Sequence, residues 1–209
     1  MILTKHQLQK IAQHQAVHKA GENLLEAAVA IILREGVNGT EFLLMQRAYH
    51  PNDPWSGQMG FPGGKLEGSD TSKIETAIRE TYEEVGIELT DADYLGQLND
   101  IYGMRANQQL NVHVACFVFK VDRPITPKGN HEVADLVWLP MSYLDDPQNA
   151  FEYYHPMDQS LLMPAVLINQ AKEQILWGLS LRMLIMFYEL VGSPIGALKD
   201  QLNDEDINN

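Results

Sequence analysis

The feature that most constrains this 209-residue chain is a helical stretch, Ser72 to Val85, closed by Gly86. At about 100° per residue, Ile74, Ala77, Ile78, Thr81 and Val85 form an apolar stripe. Glu80, Glu83 and Glu84 stand at i, i+3 and i+4 and centre roughly 120° from that stripe. Such a helix lays one side on a sheet and projects three carboxylates together beside the contact. Like charges at these spacings weaken a bare helix by about 0.2–0.5 kcal/mol per pair, so something is expected to compensate them. Arg79 reaches Glu83 at i+4 and Glu75 at i−4, which leaves Glu80 and Glu84 unneutralised. A hard divalent cation, Mg²⁺ or Mn²⁺, meets that need through oxygen ligands; a solvated acidic face is the plain alternative. Gly63-Gly64-Lys65 just upstream favours the cation, because adjacent glycines let backbone groups approach an ion or phosphate closely. A P-loop is excluded, since Met59 and Leu66 occupy the positions where that motif needs glycine and Ser or Thr.

The flanking segments set the fold class. Thr4 to Ala20 reads as a polar helix with Thr4 as N-cap and Gly21 as stop. Leu25 to Leu33 reads as a buried strand that turns at residues 35–39 and returns as Glu41 to Arg47. Ala48 to Gly64, dense in Gly, Pro, Asn and Asp, reads as a long loop ordered by Trp55, Met59 and Phe61. Tyr94 to Tyr102, Val112 to Val121 and Val133 to Leu139 read as strands, with a helical turn at Met141 to Leu144. Leu161 to Ile168 is apolar, and Ile175 to Leu190 reads as a mostly buried C-terminal helix. Interspersed strands and helices give an α/β or α+β class with a mixed sheet. The expected organisation is an N-terminal helical extension (1–22), one domain (23–192) and a frayed acidic tail (193–209).

Composition narrows the partners. With 28 acidic and 15 basic residues the net charge is −13, which argues against nucleic-acid binding. An anionic substrate would then be attracted by bound metal rather than by net charge. The single cysteine, Cys116, excludes an intrachain disulfide and a cysteine-based zinc cluster, and its apolar surroundings mark it as packing. The chain opens without a secretory apolar region, and Gly178, Ser180 and Arg182 interrupt its longest apolar stretch, so a cytoplasmic protein without a membrane span is expected. His14 and His18 read as a solvated helix face, His113 as a satisfied core histidine, and Met183 and Met186 as core. Trp55, Phe61, Tyr153 and Tyr154 can stack on a base, with packing as the default for each.

Gly64, five residues, Asp70, eight residues, Arg79-Glu80, then Glu83-Glu84, Gly86 and Ile87 resemble the Nudix box, Gly-x5-Glu-x7-Arg-Glu-apolar-x-Glu-Glu-x-Gly-apolar. Asp70 replaces Glu, one residue is inserted before Arg79, and Thr81 stands at a usually apolar position. The Asp and the insertion, together with Leu43 to Ala48, Gly57 to Gly64 and Trp177 to Ser180, resemble the coenzyme A pyrophosphatase branch of that family. A further arginine of the branch signature is absent, Asn52 and Asp53 lying where it would fall. Recognition of the 3′-phosphate of coenzyme A then rests on Arg47, His50 or Arg105. The resemblance runs from about Leu25 to Leu190.

It implies a Nudix-type mixed sheet between helices, α/β/α, and metal-dependent hydrolysis of a pyrophosphate linkage in a small nucleoside-diphosphate derivative. Coenzyme A or its thioesters come first, yielding 3′,5′-ADP and 4′-phosphopantetheine; ADP-ribose, dinucleotides or nucleoside triphosphates come second. A silent nucleotide-binding regulator ranks low because all three box glutamates are present. The resemblance implies Glu80, Glu83, Glu84 and the Gly64 carbonyl as ligands of Mg²⁺ or Mn²⁺. Glu83 and Glu84 are candidates for deprotonating the water, Arg79 for orienting the carboxylates, and Glu132 is the off-box candidate base. Arg47, Phe61, Gly63 and Lys65 are the substrate-binding candidates. The N-terminal helix either caps the domain or mediates a homodimer.

Overall fold

Apolar residues that alternate in facing along three long strands need cover on both faces of a sheet, and the chain supplies it from either side. The computed structural model describes residues 1–18, 25–51, 53, 55–104, 111–156, 158–193 and 195–198. After helix α1 (Lys5–Gln13) come β1 (Leu25–Gly36), β2 (Gly39–Arg47), β3 (Met59–Gly60), β4 (Gly63–Lys65) and helix α2 (Lys73–Val85). Then follow β5 (Tyr94–Gln97), β6 (Ile101–Met104), β7 (Asn111–Lys120), β8 (Val133–Pro140), β9 (Ala150–His155), β10 (Asp158–Asn169), β11 (Gln174–Trp177) and helix α3 (Gly178–Val191).

The larger sheet runs β3-β2-β1-β7-β5, with β4 on β1, β6 on β7 and β8 on β2. It is mixed: β1 pairs parallel with β7, from Leu25↔Val112 to Leu33↔Lys120, and antiparallel with β2 and β4. Ala28, Ala30 and Ile32 of β1 join Ala115, Phe117 and Phe119 of β7 and Leu43 of β2 in a core under Ala77 and Val85 of α2. The other face, with Ile31, Leu33, Phe42, Leu44, Cys116 and Val118, packs on Leu184, Phe187 and Tyr188 of α3 and Ile11 of α1. A small sheet, β11-β10-β9, flanks α3. This is the expected mixed-sheet α/β/α architecture.

Local signals held where local chemistry decides. Thr4 caps α1 in a reciprocal box with Gln7, Ser72 caps α2, and Gly86 ends α2 in the left-handed region. Four expectations need correction. Helix α1 stops at Gln13, not Ala20, so His14 and His18 are not on a helix face; His14 bonds Asn99 at 3.0 Å, and His18, still exposed, bonds Asp100 at 3.0 Å. Gly21 and the boundary at residue 22 lie outside the described residues, as does the tail from residue 199. The long loop contains β3 and β4, and the strand at 94–102 is two strands, β5 and β6, separated at residues 98–100. The apolar run at 175–190 is not one helix: Gln174–Trp177 is a strand, and Gly178, at φ +59°, turns it into α3.

His113 is the satisfied core histidine expected: it is buried, with Nε2 at 2.8 Å from Asp100 and Nδ1 at 3.2 Å from Glu26. Met183 and Cys116 are also buried, and burial raises the Cys116 thiol pKa far above its ordinary value. Among the described residues, no helix is long and apolar enough to cross a membrane.

Candidate active site

Strand β4 lies against β1 with Val29↔Gly63 and Ala28↔Gly64, and α2 crosses over this edge. Both glycines are required there. Gly63 sits at φ +153°, and a Cβ on it would lie 2.3 Å from the Ala28 carbonyl oxygen and 2.8 Å from Val29 Cγ1. A Cβ on Gly64 would lie 2.3 Å from Glu80 Oε1. Gly63→Ala is therefore expected to cost about 2 kcal/mol or more, because it collides with backbone in a conformation reserved for glycine. Gly64→Ala meets only the end of a side chain, so it should leave the fold nearly intact and displace the Glu80 carboxylate. Urea unfolding measures the difference; equal stabilities for the two variants would contradict this account.

The three box glutamates do not share one solvated face. The side chain of Glu83 is 53% exposed, whereas that of Glu84 is 3% exposed and points beneath β4. The physical reason is tertiary: β4 covers the flank of α2 that a bare helix would leave in water. Glu84 Oε2 accepts the Gly63 N–H at 2.9 Å, and Glu84 Oε1 stands 3.7 Å from Arg47 Nη1. Burial pushes the Glu84 carboxyl up to about 8, against the opposing pull of the Gly63 N–H and Arg47, and the charges of Glu80 and Glu132 push the same way. Glu80 is likewise raised, first by burial. Glu132 is thus close enough to act on both acids, and its carbonyl accepts the Ala48 N–H at 2.7 Å.

Arg79 keeps the expected Glu83 partner but not Glu75. Its Nε and Nη2 fork onto Asp70 at 3.0 Å each, and Nη1 bonds Glu80 at 3.0 Å and Glu83 at 3.1 Å. Glu75 instead accepts the Thr71 N–H and hydroxyl at 2.8 and 2.7 Å. The Arg79 guanidinium holds the Asp70 carboxyl well below the usual carboxylate range. Asp70 is the functional residue the spacing did not assign. Its signal was its place in the box motif, nine residues before the arginine it grips. Glu80 is thus partly neutralised by Arg79, contrary to expectation, whereas buried Glu84 has only a distant cation.

Among the described residues no three His, Cys, Asp or Glu side chains already stand together as a metal-holding group. The donors nonetheless fit a hard divalent cation. Glu84 is a buried carboxylate whose cation stands 3.7 Å away, Glu80 is half-buried and shares Arg79 with Asp70 and Glu83, and the Gly64 backbone lies against Glu80.

A cavity of about 200 Å³ opens beside this edge, lined by Gly63, Gly64, Lys65 and Arg47 together with Trp55 and Phe61. It therefore gathers all four substrate-binding candidates. Phe61 is 4% exposed and forms core wall rather than a free stacking surface, and Tyr153 packs on Trp177 instead of the cavity. Arg47 is held by Asp53, Nε to Oδ2 at 3.0 Å, and Asp53 also accepts the Trp55 N–H at 3.0 Å. Asn52 and Arg105 lie outside the described residues.

The chain is thus an α/β/α protein, a mixed sheet between helices, in which Glu80 and Glu84 are drawn against a glycine edge that also lines a cavity. A NUDIX domain family model matches residues 24–159, and the chain belongs to that family. A probable Nudix hydrolase of Schizosaccharomyces pombe, C6G9.05, is 31% identical over 163 residues, covering 77% of this chain and 54% of the relative. The uncharacterised Nudix hydrolase NudL of Yersinia pestis is 33% identical over 141 residues, 66% of each chain. The chain thus spans about half the length of the first relative and 66% of the second. The crystal structure of a MutT/nudix family protein from Enterococcus faecalis matches 94% of this chain and 74% of its own with a TM-score of 0.58. At 16% identity that likeness bears on the fold alone.

Proposed function

We propose that this chain hydrolyses a pyrophosphate linkage in a nucleoside-diphosphate derivative, using Mg²⁺ or Mn²⁺, with coenzyme A or its thioesters as substrate. The observation that carries the reading is the pair Glu80 and Glu84 drawn against Gly63 and Gly64, which also line a cavity. The family match and the box motif support the same chemistry.

In this reading Glu80, Glu83, Glu84 and the Gly64 carbonyl would hold the cation. A cation bound there would neutralise phosphate charge and lower the pKa of the attacking water. Glu84 or Glu83 takes the proton of that water, with Glu132 as the off-box candidate. Arg79, gripped by Asp70, keeps Glu80 and Glu83 oriented. The Gly63 N–H fixes Glu84, and Arg47 and Lys65 face the anionic substrate at the cavity wall.

Hydrolysis of ADP-ribose or a dinucleotide is the second reading. It is favoured by one contact: Asp53 engages Arg47, which leaves less positive charge for a 3′-phosphate. The deciding measurement is kcat/KM for coenzyme A, its 3′-dephospho form and ADP-ribose, with products identified. Coenzyme A is expected to be cleaved to 3′,5′-ADP and 4′-phosphopantetheine, above ADP-ribose. ADP-ribose better than both pantetheine substrates would retire coenzyme A in favour of the second reading.

A further inference from the structure

The cavity is unlike the phosphate-facing edge it adjoins. Ala27, Val29, Met45, Met59, Val114 and Met183 supply much of its wall, and its charged and hydroxyl side chains among the described residues are Arg47, Lys65 and Ser180. Arg47 is already engaged by Asp53 and faces Glu84, and Lys65 is exposed. Gly63 and Gly64 belong both to this edge, where the Gly63 N–H donates to Glu84 and Gly64 lies against Glu80, and to the wall of the apolar cavity. A group esterified to a diphosphate held at this edge would therefore lie beside that apolar wall.

We propose that this cavity selects the arm of the substrate next to the diphosphate, and that it takes a branched hydrocarbon carbon rather than a sugar. The inference rests on the pyrophosphatase reading above and deepens it. In coenzyme A the diphosphate oxygen is followed by a methylene and then by a carbon bearing two methyl groups, a compact apolar unit. In ADP-ribose the same position carries a ribose, whose hydroxyls would be buried with few partners, which weakens binding for each one left unpaired. The methionines suit the role, since an unbranched thioether fits itself around an irregular apolar shape. Specificity then comes from the pantetheine side, where the wall is apolar, more than from the 3′-phosphate, since Arg47 is already shared with Asp53. The acyl group of a thioester lies at the far end of the pantetheine arm, so acyl length should matter little.

The test compares coenzyme A with an analogue in which hydrogens replace the two methyl groups. At about 0.8 kcal/mol per buried carbon, kcat/KM for the analogue should be about tenfold lower. In Ala27→Leu, whose larger side chain occupies the cavity, the two substrates should converge. Equal rates for both in the unaltered protein would overturn the inference while leaving coenzyme A hydrolysis standing. A full tenfold difference persisting in a folded Ala27→Leu would also overturn it, by placing the methyl groups elsewhere. ADP-ribose cleaved better than either would remove the inference and the coenzyme A reading together.

Discussion

Glu84→Gln is expected to lower turnover by about 10²- to 10³-fold, the scale seen when one preorganised electrostatic group is removed from a reacting site, without unfolding the protein. Gln keeps an oxygen to accept the Gly63 N–H, so the contact that fixes the side chain survives. What disappears is the charge, and the charge is costly to the metal-free fold. Burial raises the folded-state Glu84 carboxyl from its ordinary 4.5 to about 8. Between those values the folded protein holds a proton that the unfolded chain has released. The linked stability is therefore fully present below about 4.5 and is lost as pH rises toward 8. Glu84→Gln removes that slope, so in chelator its melting temperature should overtake the wild type increasingly across this window. Glu75→Gln, which loses only bonds to Thr71, should change turnover little. Near-normal turnover in Glu84→Gln would take this residue out of the reacting site.

How much of this was legible in the sequence depended on the range of the forces involved. Helix α2 was readable because its cap, its stop and its apolar stripe are local: Ser72 and Gly86 do their work within one turn. The burial of Glu84 was not readable, since it depends on β4 crossing the helix flank, and β4 is only three residues of Gly-Gly-Lys. No periodicity marks so short a strand. The run at 175–190 misled for a different reason: a buried apolar strand and a buried helix look alike until a glycine with positive φ divides them. Strand β9 carries an alternation in Phe151, Tyr153 and His155 that would have revealed it. The bonds from His14 and His18 to Asn99 and Asp100 span more than 80 residues, beyond any local pattern. Asp70 lay in plain view as a departure from the box, but its role as the fork gripping Arg79 appears only when α2 folds back on the loop before it.

Excess chelator is expected to abolish turnover, and Mg²⁺ or Mn²⁺ to restore it. The chain carries a net charge of −13, and its proposed substrate is an anion that must come against Glu80, Glu83 and Glu84. Arg79 and Arg47 do not offset this. Arg79 is committed to Asp70 as well as to Glu80 and Glu83, and Arg47 is shared between Asp53 and a Glu84 oxygen 3.7 Å away. Burial pushes both Glu80 and Glu84 toward protonation, against the pull of Arg79 on the first and of the Gly63 N–H and Arg47 on the second. A divalent ion supplies to both the acids and the phosphates what the protein alone does not, and it should bind the folded state preferentially. At a concentration about 100 times its Kd it would then add about 2.7 kcal/mol of stability. That gives a readout independent of activity: the melting temperature should rise with added Mg²⁺ or Mn²⁺, and the rise should shrink in Glu84→Gln and Glu80→Gln but not in Glu75→Gln. Full turnover in excess chelator would overturn the metal mechanism. A thermal shift that survives both Glu84→Gln and Glu80→Gln would place the ion somewhere other than the glycine edge.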